Sequence, residues 1–231
     1  MTTSTLSPKK LMVAGIALSA ALGLGACSSG DASASDSSSS SSSEQIARPE
    51  PIASLPAIPA GGSTAVALDA DFVAALGSLG LTPATVGDAT LADGSVSFPI
   101  TGGTVTVFDK SSGYRPYVQG TLLHQNSGLS LTAGGTTVEL TNFTVDPGTP
   151  ARLFGDVAVN GQQAAASAPL FDLNGSTLNP ISMDAEGNAV LQGTTVELSP
   201  EAAALLNSTF GTDALAGGLV IGIATITVPT S

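Results

Sequence analysis

Short apolar runs that alternate with polar residues constrain the fold of this chain more than any other feature. Val105 and Val107 alternate with threonines, and Leu129 and Leu131 alternate with a serine and a threonine. A period of two puts alternate side chains on opposite faces, so such runs predict strands with one face on a core and one in water. Runs of this kind lie at 95–100, 104–108, 118–124, 129–132, 136–140, 153–159, 190–198 and 219–228.

Turn residues between two of these runs predict antiparallel pairing. The stretch Ala133-Gly134-Gly135 lies between Leu131 and Val138, and its two glycines supply the positive φ that tight hairpin turns require. Residues 215–228 are apolar on both alternating sets. This segment is therefore predicted to be a central strand covered on both faces, and it is too short to be a membrane span.

Two helices are expected between the strands. Asp69 can cap a helix that Gly80 ends, and Ser199 can cap a second helix with Pro200 at its first position. Within these two segments, apolar residues at helical spacing are Phe72, Leu76, Leu79, Leu205 and Leu206.

Each cap follows a strand that ends in leucine, and a shift of 130 positions superposes Leu68 on Leu198. A true internal repeat and chance matches in an Ala-, Leu- and Ser-rich composition both remain open. The predicted fold is mainly β: an antiparallel sandwich or barrel-like sheet with two short helices over its ends or one face.

The N-terminus has the layout of a bacterial lipoprotein signal. Lys9 and Lys10 precede an uncharged apolar segment that ends in Leu24-Gly25-Ala26-Cys27, which resembles a lipobox. We therefore expect residues 1–26 to be a signal peptide and Cys27 to be the lipidation site. The alternative is an ordinary cleaved signal followed by an incidental cysteine. Cys27 is the only cysteine, so the chain can form no internal disulfide.

The segment after Cys27 predicts a tether. Residues 28–43 contain eleven serines, and four prolines follow between residues 49 and 59. We expect residues 27–59 to be a disordered linker with a reach of about 30 Å. Residues 60–231 would then be a single domain outside the cytoplasm, anchored to the bacterial membrane through the N-terminal lipid.

Charge narrows the range of partners. Once Lys9 and Lys10 leave with the signal, four basic residues oppose eighteen acidic ones. This balance argues against nucleic acid and against electrostatic docking on anionic lipid. It leaves a protein or small-molecule partner open.

Catalytic and metal motifs do not stand out in the sequence. His124 is the only histidine, and no G-x-S-x-G surrounds a serine, so a catalytic triad is not supported. The carboxylate pairs Asp69/Asp71 and Asp184/Glu186 fall at a predicted helix start and a predicted turn. A carboxylate-dependent hydrolase is kept as an alternative, but we expect a protein without enzymatic activity, with no catalytic residue and no metal site.

One cluster of side chains that could bind a ligand remains, formed by Tyr114, Arg115, Tyr117 and His124. It gathers both tyrosines and the only histidine within eleven residues. One interpretation is a loop whose rings pack on the sheet edge while His124 ends a strand. The other is a ligand-binding site.

The order of elements resembles that of HtaA-type domains of actinobacterial haem-uptake surface proteins. The resemblance rests on Gly94 to Gly103, the strand that ends at His124, and the segments 128–131, 138–140 and 198–218. It implies a β fold, and haem as a cofactor whose iron a tyrosine binds with a supporting histidine. The family's N-terminal stretch with tryptophan and the ligand tyrosine has no counterpart here.

If this resemblance extends to haem, Tyr114 or Tyr117 would coordinate iron, His124 would support it, and Arg115 would pair with a propionate. Tyr117 and His124 lie an odd number of residues apart, so they share a face only if Gly120 forms a bulge, and without that bulge Tyr114 is the better candidate. The expected function is a cell-surface lipoprotein with a non-catalytic binding or scaffolding domain, with haem uptake as an alternative. A cofactor is otherwise not expected.

Overall fold

The computed structural model of the protein describes residues 47–230, so the expected signal peptide, Cys27 and most of the expected tether lie outside the described residues. The helices are α1 (Ala70–Ser78) and α2 (Pro200–Phe210). The strands are β1 (Ala53–Leu55), β2 (Ser63–Leu68), β3 (Thr82–Gly87), β4 (Thr90–Ala92), β5 (Ser95–Pro99), β6 (Gly102–Val107), β7 (Val118–Ala133), β8 (Thr136–Asp146), β9 (Arg152–Val159), β10 (Gln162–Asn174), β11 (Ser182–Met183), β12 (Ala189–Leu198) and β13 (Val220–Val228).

The strands form one antiparallel sheet in the order β1-β6-β7-β8-β9-β10-β12-β13-β2-β5-β4. β3 pairs with the second half of β7, and β11 pairs with β12. The sheet is curled, so the barrel-like alternative describes the fold and the predicted mainly β class is confirmed. The predicted hairpin is confirmed as well, because Gly134 and Gly135 join β7 to β8 with φ of 57° and 79°.

A line of bulges bends the sheet across β7, β8, β9 and β10. Asn126, Asn142 and Ser167 have φ of 58°, 55° and 48°, and the strand register shifts beside each of them. The Asn126 N–H donates to Asn142 Oδ1, and Asn142 Nδ2 donates to Asp156 Oδ2. The Ser167 N–H donates to Asp156 Oδ1. These polar contacts fix bulges that increase the local twist, and so they keep the sheet curled.

The residues that follow β5 contact β7. The Thr101 N–H and hydroxyl both donate to the Leu123 carbonyl, at 2.8 and 3.0 Å. The Gln125 N–H donates to the Thr101 hydroxyl at 3.0 Å. We call this contact between residues 99–101 and 123–125 the seam.

Both predicted helix starts are confirmed. Asp69 Oδ1 accepts from two N–H groups of the first turn of α1, and Ser199 Oγ accepts from the Ala202 N–H in α2. β12 and β2 flank β13 on either side, and each leads directly into its helix. The strand-cap-helix unit therefore occurs twice, once on each side of β13. Leu76 of α1 and Leu206 of α2 are buried in the main core.

Two sequence expectations need correction. β1 pairs with β6, and Ile58 is buried with its N–H bonded to Gly103, so the folded part begins before residue 60, inside the expected linker. The predicted strand at 215–228 begins only at Val220, and Ile223 is 39% exposed. β13 is central, yet it is not covered on both faces, because water reaches the side chain of Ile223.

Among the described residues, no helix is long and apolar enough to cross a bilayer.

Candidate functional site

The curled sheet encloses a cavity of about 290 Å³ with mostly apolar walls. Alternate residues of single strands line it, such as Thr64, Val66 and Leu68 of β2 and Phe143 and Val145 of β8. Because a strand points every second side chain to the same face, the curl brings the inward sets of many strands around one space. The volume is near the lower end of the range for small-molecule pockets, roughly 300 to 1,000 Å³.

His124 lies in the wall of this cavity and is only 1% exposed. Its Nδ1 lies 2.9 Å from the Pro99 carbonyl oxygen of β5, and its Nε2 lies 3.1 Å from the Thr64 hydroxyl of β2. The ring also packs near Phe98, with centroids 6.3 Å apart. His124 therefore connects three strands, β7, β5 and β2, beside the seam.

The hydrogen-bond partners of His124 define which ring nitrogen carries a proton. A carbonyl oxygen can only accept, so Nδ1 carries a proton and donates it to Pro99. Burial lowers the pKa of His124, against the opposing effect of the backbone groups of Pro99 and Phe98. A neutral ring with Nδ1 protonated has a lone pair on Nε2, and this nitrogen accepts from the Thr64 hydroxyl.

Tyr117 is half-buried and lines the same cavity from the loop before β7. Two cations flank its ring, with Lys110 Nζ at 4.5 Å and Arg115 Cζ at 5.9 Å from the centroid. The Phe108 N–H donates to the Tyr117 carbonyl at 2.7 Å, and the Phe108 side chain is fully buried. Tyr117 is therefore anchored at the edge of the cavity by a buried neighbour.

The other two candidates of the sequence cluster do not line the cavity. Tyr114 packs edge-on against Phe108, with centroids 4.8 Å apart. The Arg115 guanidinium donates to the Lys110 and Tyr114 carbonyls. The structure thus brings Tyr117 and His124 to one cavity, while Tyr114 and Arg115 build the loop beside it.

Gly120 does not form the bulge that would place Tyr117 and His124 on one face of β7, and Tyr114, the candidate favoured without that bulge, does not line the cavity. β6 pairs with β7 through Gly120 without a shift in register. Glycine is required there for a different reason: φ is 131°, and a Cβ would lie 2.0 Å from the Thr104 carbonyl oxygen. Tyr117 reaches the cavity because it lies before the strand begins, where the alternation of faces does not apply.

The carboxylates considered for catalysis have structural partners. Asp69 caps α1, and Asp184 accepts from Glu186 and Asn188 within a turn that contains Gly187. Those bonds lower the pKa of Asp184, chiefly through the Asn188 side chain. Among the described residues that line the cavity, none is Asp, Glu, Lys or Arg. Within residues 47–230, no group of three or more His, Cys, Asp or Glu side chains is placed to hold a metal.

Three residues of the site were missed in the sequence. Thr64 is the partner of His124, and its position in an inward set with two apolar residues was a signal that could have identified it. Phe98 and Phe143 form an edge-to-face pair 5.2 Å apart in the cavity wall. No local pattern brings these two rings together, because they lie on strands far apart in the sequence.

Comparison with known proteins gives limited similarity. No family model and no curated protein matches the chain. The solved C-terminal domain of HtaA from Corynebacterium glutamicum is similar at 14% identity and a TM-score of 0.49, covering 76% of this chain and 97% of that one. The heme binding protein HtaB from the same organism gives 11% identity and a TM-score of 0.44, covering 76% and 95%. Both TM-scores lie below 0.5, so these similarities do not assign a function to this chain.

Proposed function

We propose that this domain is a non-catalytic binding module that holds an apolar small molecule inside the curled sheet. The observation that carries the proposal is the cavity itself, whose apolar walls lack carboxylates and whose one histidine is held by two hydrogen bonds. Catalysis by general acid and base needs a titratable group that can exchange a proton with substrate. The apolar walls instead favour burial of an apolar ligand.

We also propose that the module is displayed outside the bacterial cytoplasm on a lipid attached to Cys27. The lipobox-like sequence before Cys27 supports this, as does the Ser- and Pro-rich segment that follows. A tethered binding module of this kind would collect its ligand from the medium around the membrane.

Binding of the neutral fluorophore N-phenylnaphthylamine to the purified protein tests the proposal. We expect saturable binding with one site per chain. Ala224 is buried in the cavity wall on β13, so Ala224→Phe places a ring inside the cavity and should weaken binding at least about tenfold, which corresponds to about 1.4 kcal/mol.

Ala164→Phe is the matched control, because Ala164 is exposed on β10 and does not line the cavity. It should bind the fluorophore like the wild type. Equal binding by the wild type and Ala224→Phe, with both proteins folded, would show that the cavity is not the site.

A second candidate function is haem binding, which is favoured by the placement of Tyr117 and His124 in one cavity wall. The residues of the cavity fit haem only in part. Nε2 of the neutral His124 ring accepts from Thr64 and has no proton to donate to a tyrosine oxygen. The histidine support that the resemblance implies is therefore absent in this arrangement, and Tyr117 would have to bind iron without it.

Haemin titration separates the two functions. We expect no Soret shift that depends on Tyr117, since His124 cannot support a tyrosinate ligand. Tyr114→Phe is the matched control because Tyr114 lies outside the cavity wall. A shifted Soret band that persists in Tyr114→Phe and disappears in Tyr117→Phe would establish haem ligation instead.

A further inference from the structure

Two of the four cations in residues 47–230 lie against Tyr117, which lines the cavity, and a third lies on the neighbouring Phe108 ring. Lys110 and Arg115 flank Tyr117, and Arg48 lies over the Phe108 ring at 5.2 Å. The chain has eighteen acidic residues, so this grouping of three cations stands out, with Glu50 and Asp109 as the nearest carboxylates in the sequence. The fourth cation, Arg152, pairs with carboxylates of β10 and α2 at 2.9 and 3.1 Å.

These three cations are not neutralised by ion pairs within the part of the chain that the structure describes, where Arg152 alone forms such pairs. Lys110 and Arg115 are exposed, so each remains hydrated and available to an anion. Asp109 adjoins Lys110 in the sequence, and Asp146 directly precedes Pro147, which lines the cavity. Asp109 accepts from the Ser111 N–H, and Asp146 accepts from the Gly148 N–H. These bonds direct one oxygen of each carboxylate to its own backbone.

Hydrogen bonds and a buried ring fix the loop that carries Lys110 and Arg115. Asp109 caps a short 3-10 turn at Lys110–Ser112, and the buried Phe108 ring anchors the loop. Arg115 donates to the Lys110 carbonyl at 3.2 Å and to the Tyr114 carbonyl at 2.8 Å. These contacts hold the backbone of Lys110 next to Arg115, so the two positive charges stay close to Tyr117, which lines the cavity.

We propose that the ligand is an amphipathic acid whose apolar body fills the cavity and whose carboxylate lies between Lys110 and Arg115. This inference rests on the proposed binding function and names its ligand class. A charged group placed among the apolar walls would lose its hydration without compensation. At the edge, the same group keeps part of its water and gains charge-assisted hydrogen bonds from an ammonium and a guanidinium.

A comparison of decanoate with decanol tests this, because the two share a chain length and differ in charge. Competition against N-phenylnaphthylamine, at a pH where decanoate is ionised, gives both affinities. We expect the wild type to prefer decanoate by about five- to tenfold, as a partly exposed charge pair allows. The preference should weaken as salt is added.

Lys110→Gln and Arg115→Gln should each reduce the preference for decanoate over decanol, and the double variant should abolish it. Arg115→Lys should restore part of it, because the charge is kept and the planar fork is lost. Arg152→Gln is the matched control: it removes one charge away from the cavity and should keep the full preference if the protein remains folded.

Equal affinity for decanoate and decanol in the wild type would overturn the inference, as would a preference that survives in the double variant. If either result is found while the wild type binds the neutral fluorophore, the amphipathic acid is excluded as the ligand but the proposed binding function is not contradicted. If the wild type does not bind the fluorophore, the proposed function itself is contradicted. Haemin carries carboxylates and belongs to the same chemical class, and the Tyr117→Phe comparison distinguishes iron ligation from binding of its acid groups.

Discussion

His124→Ala is expected to destabilise the protein by about 3 to 4 kcal/mol, a large part of the stability of a domain of this size. The change leaves the Pro99 carbonyl and the Thr64 hydroxyl without their partner in a buried place. It also removes a ring from the packed wall beside Phe98. Since His124 connects β7 to β5 and β2, the contacts between β7 and these two strands should be weakened first.

Urea unfolding followed by circular dichroism measures this effect. Gln125→Ala is the matched control, because Gln125 is the next residue on β7 and is only half-buried. Its effect should stay within about 0.5 kcal/mol, as is usual for substitutions outside the core. Thr64→Val should cost about 1 kcal/mol, since it removes a single hydrogen bond. A His124→Ala protein within 1 kcal/mol of the wild type would contradict the structural role given to His124.

Cys27→Ser should abolish attachment of the protein to the membrane. In the proposed anchor the thiol takes the lipid, and each buried methylene of an attached acyl chain would contribute about 0.8 kcal/mol to membrane binding. We therefore expect the variant to accumulate with its signal uncleaved or to be released into the medium. Partition of the wild type and the variant between detergent and aqueous phases measures the difference.

Ser29→Ala serves as the matched control, because it lies in the same segment and changes no thiol. It should partition with detergent like the wild type. A processed Cys27→Ser protein that still partitions with detergent would show that the anchor is not the lipidated cysteine.

The elements that could be predicted from the sequence are those with local causes. The caps Asp69 and Ser199 and the hairpin at Gly134-Gly135 depend on neighbouring residues alone, and all three occur as predicted. The strand β10, by contrast, begins with glutamines and alanines that show no apolar alternation. Its pairing with β9 and β12 makes it a strand, and such long-range pairing leaves no local signal.

The candidate site, too, could be predicted only where the signal is local. The cluster of Tyr117 and His124 was visible in the sequence because the chain contains few such residues. That both face one cavity depends on where β7 begins and on the curl of the sheet, which the bulges at Asn126 and Asn142 help to produce. The alternation in β2 could have placed Thr64 on the inward face, but its pairing with His124 could not be predicted, since the two residues lie 60 positions apart.

A crystal structure of the protein with bound N-phenylnaphthylamine tests the central claim most directly, because it locates the ligand. We predict the aromatic rings inside the curled sheet, among Phe98, Phe143 and Ala224. The outer surface offers other apolar positions, such as Ile181 at 64% and Met183 at 59% exposure. A fluorophore found only at such outer positions, with the cavity empty, would contradict the proposal that the curled sheet is a binding site.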